Sequence, residues 1–324
     1  MCTAITLTTD NHYFGRNLDL TCSYVEEVCV MPRRYPLVFR KMGSLKEHYA
    51  IIGMATVVDG IPLFYDGVNE FGLSVAGLNF PDNAYYPPCC DGKYNVTPFE
   101  FIPYILAGFK TVDEAIPLLE NINLVNIPFS EQLPLSPLHW IISDRKKSIV
   151  VEAMKDGVHI HENPVGVLAN NPPFNYHLYN LNNYRSLNIE NGENTLSPDV
   201  ELQNYSEGLG LTALPGSVSS ASRFVRASFA RANSVCKTDE ASAVGQFFHL
   251  LSFVEVPRGI CKTRSGDWNI TLYSSCINTD KGIYYYTTYS NRQITAINMH
   301  KTDLDGSAIS RFPLLLEQKI NYAN

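Results

Sequence analysis

The sequence predicts an α+β fold in which helices cover antiparallel sheet. Three observations carry this prediction. Blocks of β-branched and aromatic sequence are separated by two blocks of helical pattern, an order that suits sheet beneath helical layers. The 324 residues are 45% hydrophobic and 18% charged, the balance of a folded chain long enough for one large domain or two ordinary ones. Tyrosine (19) far outnumbers tryptophan (2), which fits extensive sheet and an apolar pocket with polar tips. A net charge of −7 argues against a phosphate-tracking surface, so no nucleic acid partner is expected. No uncharged apolar run approaches the ~18–20 residues of a membrane span, and no membrane partner is expected.

The elements follow in order. Residues 2–7 form a β-branched run suited to a strand, and a second strand follows at 13–19. If Asp10-Asn11 is a two-residue turn, Cys2 lies opposite Asp19. Arg16 and Asp19 are three residues apart, so they share a site only if the strand end bends. Further strands are expected at 27–32, 49–58, 62–67 and 73–79. Thr97-Pro98-Phe99-Glu100 reads as a capping box opening a helix at 98–108. Thr111-Val112-Asp113-Glu114 opens a second at 112–121, which Pro117 should kink or shorten. Residues 122–137 read as a long loop. Strands are expected at 138–143, 147–154, 157–161 and 166–169, then helices at 174–186, 220–233 and 240–252, then strands at 268–276, 282–289 and 293–299. The polar, Gly- and Asn-rich segment 187–216 is too long for an ordinary connection and is expected to protrude as an assembly element.

Eight cysteines are present without a C-x-x-C pair, so neither a zinc ribbon nor a thioredoxin-like site is supported. No metal and no cofactor is expected, since no G-x-x-x-x-G-K-S/T or G-x-G-x-x-G motif occurs either. No leader with a basic start and an apolar core precedes the first strand, so the expectation is a cytoplasmic protein with reduced thiols. Cys2 stands apart by its address. A small residue behind the initiator Met favours Met removal, which would leave a thiol and a free α-amine on one Cα. An α-amine has a reference pKa of about 7.7–8.0 and can accept a proton near neutrality.

Met1-Cys2-Thr3, Phe14-Gly15-Arg16-Asn17-Leu18-Asp19, Gly77-Leu78-Asn79-Phe80, Leu138-His139-Trp140, Asn170-Asn171-Pro172 and Ala221-Ser222-Arg223-Phe224 occur in this order. The set resembles the conjugated bile salt hydrolases, or choloylglycine hydrolases, which belong to the N-terminal nucleophile hydrolases together with the penicillin V acylases. The resemblance runs through Gly282-Ile283-Tyr284-Tyr285-Tyr286 to Ile320-Asn321-Tyr322. It implies a four-layer αββα sandwich, two antiparallel sheets between helical layers, with residues 1–324 as a single domain. It also implies a homotetramer. By motif match Cys2 would be the nucleophile and its α-amine the base. Arg16 would lie against the thiol and Asp19 would hold the amine. Asn79 and Asn170 would build the oxyanion site, and Arg223 would complete the cluster. Asn at position 79 resembles bile salt hydrolases, whereas penicillin V acylases typically carry Tyr.

These residue types suit amide hydrolysis. A free thiol near pKa 8.5 is only a few per cent thiolate at pH 7. Half ionisation at pH 6 needs a downward shift of ~2.5 units, roughly 3.4 kcal/mol, for which the Arg16 guanidinium is the obvious source. Asn N–H groups are neutral oxyanion donors. Plainer readings stand beside these. Arg16 and Asp19 could be a surface strand pair, the asparagines strand-end or turn residues, and Arg223 the start of an amphipathic helix. His139 and His249 lie in apolar contexts and read as satisfied core residues.

The resemblance implies a steroid acid amide-linked to glycine or taurine as substrate. Candidate walls of an apolar trough are Leu18, Tyr24, Val58, Phe129 and Leu133. Ala169 stands where many relatives have Thr, Pro173 replaces another common Thr, and Ser217 stands where Asp is usual. Glu207 occupies a position often held by Arg, where a carboxylate facing the pocket would repel an anionic conjugate end. Two other readings are an acylase for penicillin V or N-acyl homoserine lactones, and a catalytically silent binding relative.

Overall fold

The computed structural model describes residues 1–324. One sheet has six strands, in spatial order Val167–Leu168, Cys2–Thr8, His12–Leu20, Ile270–Asn278, Ile283–Thr288 and Thr295–Asn298. The other has eight: Gly157–Glu162, Ser148–Met154, Leu138–Ser143, Ser74–Asn79, Ile61–Asn69, Ile51–Val58, Glu27–Met31 and Ser310–Pro313. Every pairing within these two sheets is antiparallel.

Period-two alternation sorts side chains between two cores. In Glu27–Met31, Val28 and Val30 face one apolar cluster while Cys29 and Met31 face the other. In Ser148–Met154, Val150 faces the first, and Ile149 and Val151 the second. The first cluster fills the space between the sheets and continues through the six-stranded sheet to the helices Ser220–Ala232 and Glu240–Ser252. The second packs the outer face of the eight-stranded sheet against Phe101–Gly108 and Val112–Leu119. The layer order is helix, sheet, sheet, helix: the expected αββα sandwich. In Glu240–Ser252 the buried positions Ala243, Val244, Phe247, Leu250 and Leu251 make one helical stripe. Asp239 caps it by accepting from Ser242 N at 3.0 Å.

The first hairpin departs from expectation by one residue. Thr8 pairs with His12, Ala4 with Arg16 and Cys2 with Leu18. Neither Asp10 nor Asn11 has positive φ, so the two-residue turn that the sum rule assumed is not formed, and the loop takes three residues. Met1 therefore stands opposite Asp19, exchanging Met1 N→Asp19 O (2.8 Å) and Asp19 N→Met1 O (3.0 Å). The bend that Arg16 and Asp19 required has a visible counterpart. The neighbouring strand bulges between Thr271 and Tyr273, opposite Asp19 and Leu18. Gly15 allows the close approach, since a Cβ there would lie 1.9 Å from Ser275 O.

Other departures are local. Thr97–Glu100 forms a turn in which Glu100 Oε2 accepts from Thr97 Oγ1 at 2.7 Å, and the helix starts only at Phe101. The next helix ends at Leu119, two residues early, with Pro117 inside it. The expected 174–186 helix is α-helical at Phe174–Asn180 and 3-10 at Leu181–Tyr184. Four three-residue strands and Ser310–Pro313 lacked enough pattern to be read. Segment 187–216 is exposed over most of its length, with one 3-10 turn at Leu209–Leu211. No helix is long and apolar enough to cross a membrane.

Candidate active site

Cys2 opens the second strand of the six-stranded sheet and is 2% exposed. Around it lie Arg16 and Asp19 from the paired strand, Asn170 just beyond the Val167–Leu168 strand, and Arg223 from the first turn of its helix. Arg16, Asp19 and Arg223 are completely buried, which removes the surface-pair and amphipathic-helix readings of these charges.

Asn170 links the group. Its Oδ1 accepts from Cys2 N at 2.6 Å and from Arg223 Nη2 at 2.7 Å. Its Nδ2 donates to the backbone carbonyl of Asn79 at 2.7 Å. One of the two Nδ2 protons is thus committed and the other is free for a ligand. Asn79 meets the cluster through its main chain rather than through its carboxamide. Arg223 Nη1 donates to both Cys2 O and Thr3 Oγ1, fixing the first residues of the chain to the helix. Arg16 Nη1 donates to Tyr65 O at 3.1 Å and to Gly77 O, tying the six-stranded sheet to the eight-stranded one. Asp19 Oδ1 accepts from Thr271 Oγ1 at 2.6 Å.

Two buried atoms of this cluster have no partner: Arg16 Nη2 and Asp19 Oδ2. Buried charged atoms normally find one, so each marks a place for a group of opposite charge. Burial is the largest influence on the Cys2 thiol and pushes it up. Arg16 and the terminal ammonium pull it down, and the thiol ends below its ordinary value. Burial also opposes the charge on Arg16, but Cys2, Tyr273, Asp66 and Asp19 together hold the guanidinium protonated. Burial lowers Arg223, partly offset by Asp19 and Cys2.

Residues that the sequence reading missed hold the Asn170 loop from behind. His177 Nε2 donates to Asn170 O at 2.8 Å. Burial holds this imidazole down at about 4, neutral at physiological pH. Ser220 Oγ accepts from Asn170 N at 2.8 Å. His139 reaches Ala169 O at 2.8 Å and Glu152 Oε1 at 2.9 Å, so the expectation of a satisfied buried histidine holds at this position. Glu152 also accepts from Phe174 N at 3.0 Å. A lone carboxylate in the apolar run Ser148–Met154 was the available signal for this network. His249, by contrast, is exposed and not a core residue.

The expected substrate walls divide. Leu18 is the cross-strand partner of Cys2 and is 3% exposed, as buried as Cys2 itself. Tyr24 is 51% exposed on a loop whose next residue, Val25, has φ 63°. Val58, Phe129 and Leu133 are half-buried. Phe129 meets Phe99 edge-on at 5.2 Å, with the Arg40 guanidinium 5.9 Å from its ring centre. Glu207 is exposed and accepts from Asn191 Nδ2 at 3.3 Å. Among His, Cys, Asp and Glu, no group of three or more is placed to hold a metal ion.

A four-layer αββα sandwich with a buried cysteine at the head of an inner strand defines the architecture of the N-terminal nucleophile hydrolases. The chain belongs to the choloylglycine hydrolase family of linear amide C–N hydrolases, whose family pattern matches residues 2–312. It is 50% identical over 324 residues, all of both chains, to a bile salt hydrolase/transferase of Lactiplantibacillus plantarum. It is 40% identical to the bile salt hydrolase/transferase of Clostridium perfringens, again over all of both chains. The crystal structure of a cysteine-to-alanine mutant of conjugated bile acid hydrolase from Clostridium perfringens superposes with a TM-score of 0.92 over all of both chains, at 39% identity. Penicillin V acylase from Agrobacterium tumefaciens shares the fold, with a TM-score of 0.74 over 96% of this chain and 90% of its own.

Proposed function

We propose that this enzyme, once Met1 is removed, hydrolyses the amide of glycine- or taurine-conjugated bile salts with Cys2 as nucleophile. The observation that carries the reading is the pair of partnerless buried atoms beside Cys2, Arg16 Nη2 and Asp19 Oδ2. With Met1 attached, the Cys2 nitrogen is an amide and has no basic lone pair. Removal of Met1 frees the main-chain groups of Asp19 and turns that nitrogen into an amine, held by Asn170 Oδ1, which accepts from it at 2.6 Å, and by the partnerless Asp19 Oδ2.

The amine takes the thiol proton, and Arg16 Nη2 stabilises the thiolate. The sulfur attacks the conjugate's carbonyl carbon; a C–S bond forms and the carbonyl electron pair moves to oxygen. The free Nδ2 proton of Asn170, with Asn79, receives that oxyanion. The ammonium returns its proton to the departing nitrogen, the C–N bond breaks, and glycine or taurine leaves. Water then cleaves the thioester, giving its proton to the amine, and free bile acid is released. No cofactor is needed. Tyr24, Val58, Phe129 and Leu133 are assigned to the sterol and Glu207 to the region of the anionic end. The whole chain acts as one domain in a cytoplasmic homotetramer, with 187–216 in its assembly.

The test is release of glycine from glycocholate, with penicillin V assayed beside it. Active protein should lack Met1 by intact mass. Cys2→Ala should abolish turnover while still binding glycocholate. Full activity in Cys2→Ala, or in protein retaining Met1, would overturn the reading.

A further inference from the structure

A second buried carboxylate, Asp66, acts on Arg16 from the opposite sheet. The strand Ile61–Asn69 is irregular: Met54 pairs with Asp66 while Ala55 pairs with Phe64, so Tyr65 is an extra residue. The bulge presents two groups to Arg16. Tyr65 O accepts from Arg16 Nη1 at 3.1 Å, and Asp66 exerts a charge on the same guanidinium. Asp66 is fully buried, and both its oxygens are occupied by phenols from the opposite sheet. Tyr273 Oη donates to Oδ2 at 2.7 Å and Tyr284 Oη donates to Oδ1 at 2.6 Å.

Arg16 N also donates to Ser275 Oγ at 3.2 Å, on the strand paired with that of Tyr284. Each carboxylate oxygen of Asp66 thus accepts from one phenol. This is the hydrogen-bond pattern of an ionised carboxylate. A purely structural polar cluster has no need of an anion, since burying one costs several kcal/mol.

We propose that Asp66 is a positioning residue of the reaction: its carboxylate is a counter-charge to Arg16 from the opposite sheet and sets how much positive field Arg16 presents to the Cys2 sulfur. The inference rests on the reading of Cys2 as nucleophile. The charged and titratable groups around the sulfur are Arg16 and Asp19 from the paired strand, the α-amine on its own residue, and Arg223 from the helix. Those around Asp66 are Arg16, Tyr273, Tyr284 and the adjacent Tyr65. Full exposure to an uncompensated guanidinium would make the sulfur a more acidic but poorer nucleophile; Asp66 holds it between those extremes.

The experiment compares wild type, Asp66→Asn and Tyr273→Phe, each with Met1 removed. The rate of Cys2 alkylation by iodoacetamide is followed against pH on the N-terminal peptide, because Cys22, Cys89 and Cys90 are exposed and react with the same reagent. Asp66→Asn removes a negative charge, so the half-point of alkylation should fall, by about one pH unit. With the thiolate's nucleophilicity falling by a Brønsted coefficient of about 0.4–0.5, kcat above both half-points should drop about threefold, with the KM for glycocholate unchanged. Burial already raises the Asp66 carboxyl. Loss of the Tyr273 donor favours its neutral form further, so Tyr273→Phe should shift the half-point the same way by less. This second variant carries the test if Asp66→Asn does not fold. An unchanged half-point, or one that rises, would overturn the proposal. Full turnover by Cys2→Ala would defeat the nucleophile reading separately, and the alkylation comparison would still report on Asp66.

Discussion

Asn170→Ala isolates the side chain on which the site converges. The substitution removes three hydrogen bonds, of 2.6, 2.7 and 2.7 Å. It leaves the Cys2 nitrogen, Arg223 Nη2 and Asn79 O without that partner in a buried setting. Each orphaned group costs about 1–3 kcal/mol, the guanidinium the most. Entry of a water relieves part of this, so a net loss of roughly 3–6 kcal/mol is expected. For a chain of this size that corresponds to a fall in Tm of the order of 10 °C. Turnover should fall by a further ~10²–10³, because an oxyanion donor disappears. Asn170→Asp is the control. It keeps an acceptor for the Cys2 nitrogen and Arg223 but places a second acceptor against Asn79 O, and it has no N–H. Its Tm should fall less, while turnover falls as far. Calorimetry and glycine release from glycocholate measure both. Wild-type melting together with turnover within about threefold of wild type in Asn170→Ala would refute the reasoning, because that outcome lies below the cost of a single orphaned buried group.

Arg16→Met should raise the Cys2 thiol above its ordinary value, since burial then acts with less opposition; the pH dependence of Cys2 alkylation should move upward, and a downward shift would contradict the role given to Arg16. Glu152 is held at about 2 because the hydrogen bond with His139 and the His161 imidazole, 3.5 Å away, outweigh burial. A depressed carboxylate contributes stability that is fully present above its unfolded value near 4.3 and is lost as pH falls toward 2, here at most about 3 kcal/mol. Urea melts at stepped pH should therefore show a shallower loss between pH 5 and pH 3 in Glu152→Gln than in wild type, and parallel curves would exclude the linkage. Glu207→Arg should improve the use of taurine conjugates relative to glycine conjugates; an unchanged ratio would remove Glu207 from the anionic end.

Much of the fold was legible because its signals are local and periodic. The near-continuous apolar runs at Glu27–Met31, Ile51–Val58 and Ser148–Met154 announce strands buried on both faces, and the stripe Ala243–Leu251 announces a helix lying on sheet. Elements of three residues, such as Leu37–Phe39 and Tyr94–Val96, hold too few positions to show a period. The register of the first hairpin was misread because composition identified a turn without fixing the φ values that set its length. That single residue set Met1, not Cys2, opposite Asp19.

Strand periodicity along the chain announced antiparallel sheet covered by helices, and the ordered motifs, through the family resemblance they carry, supplied the αββα class and the residues of the polar cluster. Only the tertiary structure decided what those residues do to one another. It buried Arg16, Asp19 and Arg223 completely, joined Cys2 to Asn170 across 168 positions, and set Asp66 with its two phenols near Arg16. Charges and hydrogen bonds act through distance and burial, and a linear sequence records neither.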